Sequence, residues 1–129
     1  MRITYDQTYQ TPLVNIGAEL VRMIKDRDYS LIAERFSYAL AFDRPLIEAV
    51  ATDVDSCLVG EGRSAVVSLV NEAQILVGYF KQPNSSNLFG SVECFLPLDQ
   101  DAGKLLATLI VTTAGQEFYV GLEDVSYVA

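Results

Sequence analysis

The chain has 129 residues and a net charge of −8; half its residues are hydrophobic, a fifth are charged, and it has no histidine or tryptophan. That is the size and composition of one folded domain, 1–129, which needs no metal or disulfide staple and is not a disordered or fibrous chain. The absent histidine removes Ser-His-Asp and Cys-His catalysis, the common zinc sites and the usual proton shuttle near neutral pH.

No apolar run approaches the ~20 residues that span a bilayer. Residues 1–7 lack the hydrophobic core of a secretory signal, so a cytoplasmic protein is expected. Cys57 and Cys94 lie on different predicted elements without CxxC spacing, and both are expected to be free thiols. The charge is unevenly placed. Up to Arg44, six basic residues balance six acidic ones, whereas from Pro45 onward three basic residues face eleven acidic ones. Nucleic acid is therefore a poor partner, because holding phosphate takes clustered Lys and Arg. A partner with a basic surface suits the chain better.

Residues 1–10 read as a short arm or edge strand. Thr11-Pro12 reads as a helix start, with Thr11 as N-cap. Leu13, Ile16, Gly17, Leu20, Val21 and Ile24 follow at helical spacing, predicting a helix over about 12–26. Asp28 or Ser30 can cap a second helix, on which Leu31, Ile32, Arg35, Phe36, Ala39 and Leu40 keep the period. Asp43-Arg44-Pro45 interrupts the chain and opens a third, carrying Leu46, Ile47, Val50, Ala51, Val54 and Leu58 and ending at Gly60 and Gly62.

Residues 64–80 fit two periods. Val66, Val67, Leu69 and Val70 favour a strand by β-branching, while Val66, Leu69, Val70 and Ala73 also fit one helical face. Two strands, about 64–70 and 74–81, are the expectation. The loop Pro83 to Asn87 precedes a strand in which Val92, Cys94 and Leu96 alternate with Ser91, Glu93 and Phe95. In the next strand Leu105, Ala107, Leu109 and Val111 alternate with Leu106, Thr108, Ile110 and Thr112, a set apolar enough to predict a central strand covered on both faces. Ala114-Gly115-Gln116 turns the chain into a last strand with Phe118, Val120 and Leu122 inward, continued by Val125 and Tyr127 after a phase-shifting bulge. Leu20, Ile24, Leu109 and Phe118 should share one core. The fold class is α+β: two to three N-terminal helices on a curved C-terminal antiparallel sheet of about four strands.

The segment Leu20-Val21-Arg22-Met23-Ile24-Lys25-Asp26-Arg27-Asp28-Tyr29-Ser30-Leu31-Ile32, a first helix, an acidic break and a helix opening on an apolar pair, resembles the NTF2-like (cystatin-like) superfamily. The long final strand pair, 104–127, fits the same architecture. The resemblance implies a cone of helices over a curved sheet. One feature departs from it: such folds place a strand before the third helix, and residues 41–46 make a poor strand.

Four features could carry chemistry. Gly60-Glu61-Gly62-Arg63-Ser64 lacks the length and the Gly-Lys-Ser/Thr ending of a phosphate loop and reads as a turn. Asp53, Asp55 and Glu61, with Asp99 and Asp101, lack the calcium-loop pattern and read as acidic surface, so no metal and no cofactor is expected. Tyr38 with Asp43 is the one Tyr–Asp pair available for the isomerase arrangement that the resemblance allows. Cys57, near a helix C-terminus, sits where the dipole disfavours a thiolate. The leading expectation is thus a non-catalytic acidic binding protein of bacterial type, most specifically an immunity-type inhibitor of a basic toxin, recognising it through Asp99, Asp101, Glu123 and Asp124. The alternatives are a small-molecule-binding or isomerase-like cone, and a structural or oligomerisation domain, a homodimer pairing through Tyr119, Val125 and Tyr127.

Overall fold

The computed structural model describes residues 1–60 and 62–129. Strand β1 (Arg2–Ile3) and a 3₁₀ turn (Tyr5–Thr8) lead into α1 (Gln10–Lys25). This helix starts at Gln10 with Tyr9 as its N-cap, so Thr11 and Pro12 lie inside the first turn and Thr11 does not cap it. Pro12 is tolerated there because first-turn amides have no intrahelical acceptor. Asp28 caps α2 (Tyr29–Arg35), its carboxylate accepting from the Leu31 N–H at 3.1 Å.

Helix α2 is shorter than the apolar period suggests. Phe36 turns extended, and Ser37–Tyr38 form β2, which lies parallel to the last strand against Gly121 and Leu122. Helix α3 (Leu46–Leu58) begins directly after Pro45. A small hairpin follows, β3 (Val59–Gly60) and β4 (Arg63–Ser64), then β5 (Val66–Val67) and β6 (Gln74–Tyr79). The strand reading of 64–80 therefore holds, in shorter pieces than expected. Glu61, in the glycine-flanked turn, lies outside the described residues.

Three long strands complete the chain: β7 (Leu88–Asp99), β8 (Lys104–Ala114) and β9 (Glu117–Val128). The four long strands β6 to β9 are those expected. The large sheet nevertheless holds seven, because β1 and β2 flank β9 and β5 continues the β6 side of β7. Two-residue strands carry no periodicity of their own, so only tertiary pairing creates them. The sheet is strongly curled.

The inward row of the sheet is closed. Val92, Cys94, Leu96, Leu105, Ala107, Leu109 and Val111 have no exposed surface, and Leu13 and Leu20 of α1 are buried equally well. The opposite row of β8, Leu106, Thr108, Ile110 and Thr112, is half exposed, so the central strand is covered on one face only. Phe118 packs at the margin of the core, not inside it. There it meets Phe89 edge-on at 5.1 Å and Tyr5 at 6.0 Å, and Tyr79 meets Phe89 at 5.9 Å. The Tyr79 hydroxyl donates to the Thr8 carbonyl at 2.7 Å, tying the N-terminal segment to this end of the sheet. Among the described residues no helix is long and apolar enough to cross a membrane.

Helix α1 crosses β6 and β7 at Gly17. A methyl group there would stand 2.9 Å from Val92 Cγ1, 3.0 Å from Ile75 Cγ2 and 3.2 Å from Cys94 Sγ. Gly→Ala inside a helix ordinarily stabilises by about 1 kcal/mol. Here the crowding opposes that gain, and overpacking costs about 1–3 kcal/mol. Gly17→Ala is expected to lower the unfolding free energy in urea titrations, and Leu109→Ala to lower it by about 2–5 kcal/mol.

Candidate functional site

The polar chemistry of the molecule gathers where β2, α3 and the second half of β9 meet. Tyr38 is buried as the second residue of β2, and its hydroxyl donates to Asp53 Oδ2 at 2.5 Å. Asp53 stands on the second turn of α3 and receives both terminal nitrogens of Arg44, each at 2.9 Å. The same guanidinium donates from Nε to the Ala41 carbonyl at 3.2 Å and from Nη2 to the Leu40 carbonyl at 2.6 Å. One arginine thus fastens the loop 39–45 to α3.

That loop holds an unusual side chain. Phe42 adopts a left-handed backbone, φ 53°, and is 81% exposed. A bulky residue rarely takes this conformation, and an exposed phenylalanine gains nothing from the fold. Leu40, Leu46 and Ile47, near it in the sequence, are also exposed. The expected Tyr38–Asp43 pair does not form: the partner of Tyr38 is Asp53, two helical turns inside α3 and not in the interruption before it. Local sequence proximity suggested Asp43, whereas α3 folds back and delivers Asp53.

The electrostatics lock the cluster. Arg44 donating to it holds the Asp53 carboxyl below its ordinary value, with Tyr38 assisting. Burial first, then the bond to Asp53 and the charges of Asp53 and Asp124, push the Tyr38 phenol well above its ordinary range. A phenol held neutral by a carboxylate that is itself ion-paired is a poor proton shuttle.

Beside the clamp opens a shallow depression of about 330 Å³, lined by Tyr38, Leu40, Asp53, Cys57, Arg63 and Tyr127 among others. Arg63 lies over the Tyr127 ring at 3.7 Å from its centroid. The Tyr127 hydroxyl donates to Asp101 Oδ1 at 2.6 Å, and the Gly103 N–H reaches the same oxygen at 2.7 Å. Cys57 is half-buried here, and burial, with Asp124 and Asp53, raises its thiol pKa. Cys94 is buried under α1, where burial pushes its thiol up to about 12. Both cysteines are free thiols.

The four acidic residues expected at a binding surface separate into two kinds. Asp101 is occupied by Tyr127 and Gly103, and shapes the β7–β8 connection. Asp99 is exposed at the end of β7, paired with Val66. Glu123 and Asp124 stand at the bulge: Thr108 opposes Asp124 while Leu109 opposes Leu122, leaving Glu123 as the extra residue. Two residues instead of one therefore separate the inward Leu122 and Val125, and neither is buried. The Ala39 N–H donates to the Leu122 carbonyl at 2.9 Å, so the Phe42 loop leaves the sheet beside this acidic bulge. Val125 is buried and Tyr127 is half-buried under Arg63, so of the three residues expected on an outer pairing face only Tyr119 faces out. The sequence reading missed Phe42, Arg44 and Asp53 as a unit; the hint was a phenylalanine beside Asp43-Arg44-Pro45, where no helix or strand could bury it.

Compared with models of protein families, with curated proteins and with solved structures, the chain finds no match.

Asp53→Asn should cost about 1–3 kcal/mol at neutral pH by leaving Tyr38 and Arg44 with a weaker partner. Because the folded-state pKa is lowered, the carboxylate's contribution is full above the unfolded value, about pH 4, and fades as pH falls towards the folded one. The gap between wild type and Asp53→Asn, measured by denaturant titration, should therefore narrow between pH 5 and pH 2. Thiol labelling under native conditions should modify Cys57 before Cys94, with Cys94 reacting only as the protein unfolds.

Proposed function

We propose that this chain is a non-catalytic protein-binding module, an immunity-type inhibitor of a basic toxin, and that it docks through the Phe42 loop and the adjoining acidic bulge. One observation carries the reading: a phenylalanine fixed in a left-handed turn, pointed at solvent and pinned by Arg44 to Asp53. Strained, exposed aromatic positions persist where surrounding structure enforces them, and they serve binding more often than stability. Leu40, Leu46 and Ile47 widen the patch into an apolar centre. Glu123 and Asp124, with no ion-pair partner among the described residues, supply the charged rim that steers a basic partner in.

The NTF2-like reading belongs to this proposal. Its support is the order of two helices, a strand beside β9 and a third helix before the long strands. The strand that residues 41–46 could not provide lies a few positions earlier, at Ser37–Tyr38. The isomerase-like alternative draws less support, because its Tyr–Asp pair is spent on Arg44 and its depression is an open one at the rim.

The test is binding to the protein encoded by the adjacent gene, by association and dissociation kinetics at two salt concentrations. Phe42→Ala should weaken binding by about 2 kcal/mol, through faster dissociation. Glu123→Gln with Asp124→Asn should slow association and flatten its salt dependence. Both should shift stability by no more than about 0.5 kcal/mol, since these side chains are not buried. Binding indifferent to all three substitutions and to salt would overturn the reading.

A further inference from the structure

A second surface, independent of the first, lies along β6. This strand closes one side of the sheet, and its outer edge carries a regular set of unused backbone groups. The Phe80 N–H donates to the Phe89 carbonyl at 3.0 Å, in continuation of the pairing Tyr79 with Gly90. In an antiparallel ladder such pairs alternate, so Gln74, Leu76, Gly78 and Phe80 turn their backbone groups to β7. Ile75, Val77 and Tyr79 turn theirs outward, and among the described residues no backbone or side-chain group bonds to them there.

Sheet edges are ordinarily guarded by a proline, a bulge, a lysine or a covering element. The stretch Gln74-Ile75-Leu76-Val77-Gly78-Tyr79-Phe80 has no Asp, Glu, Lys, Arg or Pro. Its pairing with β7 runs without a register shift. Leu76, Tyr79 and Phe80 are exposed. In a chain of net charge −8, a neutral and unguarded edge is where a second copy meets least repulsion.

We propose that β6 is a self-association edge, pairing antiparallel with β6 of a second copy across a two-fold axis at Val77. Three features of the stretch fit that occupant. With Val77 opposite itself, Ile75 falls opposite Tyr79 of the copy, so every outward N–H and C=O finds a partner. On the outer face Leu76 falls opposite Gly78 of the copy, a large side chain against none. Glu72 and Lys81 end the neutral stretch with opposite charges, and antiparallel pairing brings each within one residue of its opposite in the copy, whereas parallel pairing would set like charges together. The two sheets become one, with both first helices on the same face.

The test is molar mass by light scattering over a dilution series, with amide exchange of Ile75, Val77 and Tyr79. The expected result is a dimer that dissociates on dilution, the three amides being protected at high concentration and exchanging freely when dilute. Val77→Pro removes an outward N–H that the monomer does not use, and Leu76→Lys restores an edge guard. Both variants should be folded by circular dichroism and monomeric where wild type is dimeric. A wild type that stays monomeric with freely exchanging amides overturns the proposal, and so does a dimer that both variants leave intact. If either variant fails to fold, the exchange measurement on wild type decides alone. Phe42→Ala should leave the dimer unchanged, which separates this surface from the docking loop.

Discussion

The close seat of α1 on the curled sheet at Gly17 governs the arrangement of everything else. The helix approaches until Val92, Ile75 and Cys94 occupy the space a side chain would take. That approach closes the inner row of β7 and β8 beneath Leu13 and Leu20, so this part of the concave face is core.

The two proposed surfaces follow from how the rim is finished. At the β9 side, β2 runs parallel to the last strand for only two residues before the chain must leave the sheet and turn into α3. Arg44 makes that exit rigid by holding two loop carbonyls and Asp53 together. The loop so held carries Phe42 exposed. The β-bulge beside it puts two carboxylates where regular pairing would put one. At the β6 side no group among the described residues bonds to the outward backbone of Ile75, Val77 and Tyr79.

Charge and burial divide the acidic residues by role. Asp53 and Asp101 look like surface carboxylates in the sequence, yet each is held by a tyrosine hydroxyl and a second donor, and each fixes a connection. Glu123 and Asp124 are held by no ion pair among the described residues. Negative charge in the sequence therefore does not by itself mark a free carboxylate, because the fold already uses two of these.

The sequence by itself determined the α+β class, the placement of α1 and α3, the four long strands and the inward rows of the last two, and the bulge before Val125. These rest on periodicity and on cap or turn residues, which act within a few positions along the chain. Tertiary structure alone decided the short strand β2, and it set how little of residues 1–10 and 64–70 pairs as β1 and β5, because so few residues show no period and a neighbouring edge fixes their length. It also decided that Tyr38 meets Asp53 and not Asp43, because a helix returning over β9 brings a distant carboxylate closer than a near one. The exposure of Phe42 was hidden for a related reason. Arg44 ties its loop to α3 through Asp53, nine residues on, and an ion pair between a loop and a helix follows no helical or strand period.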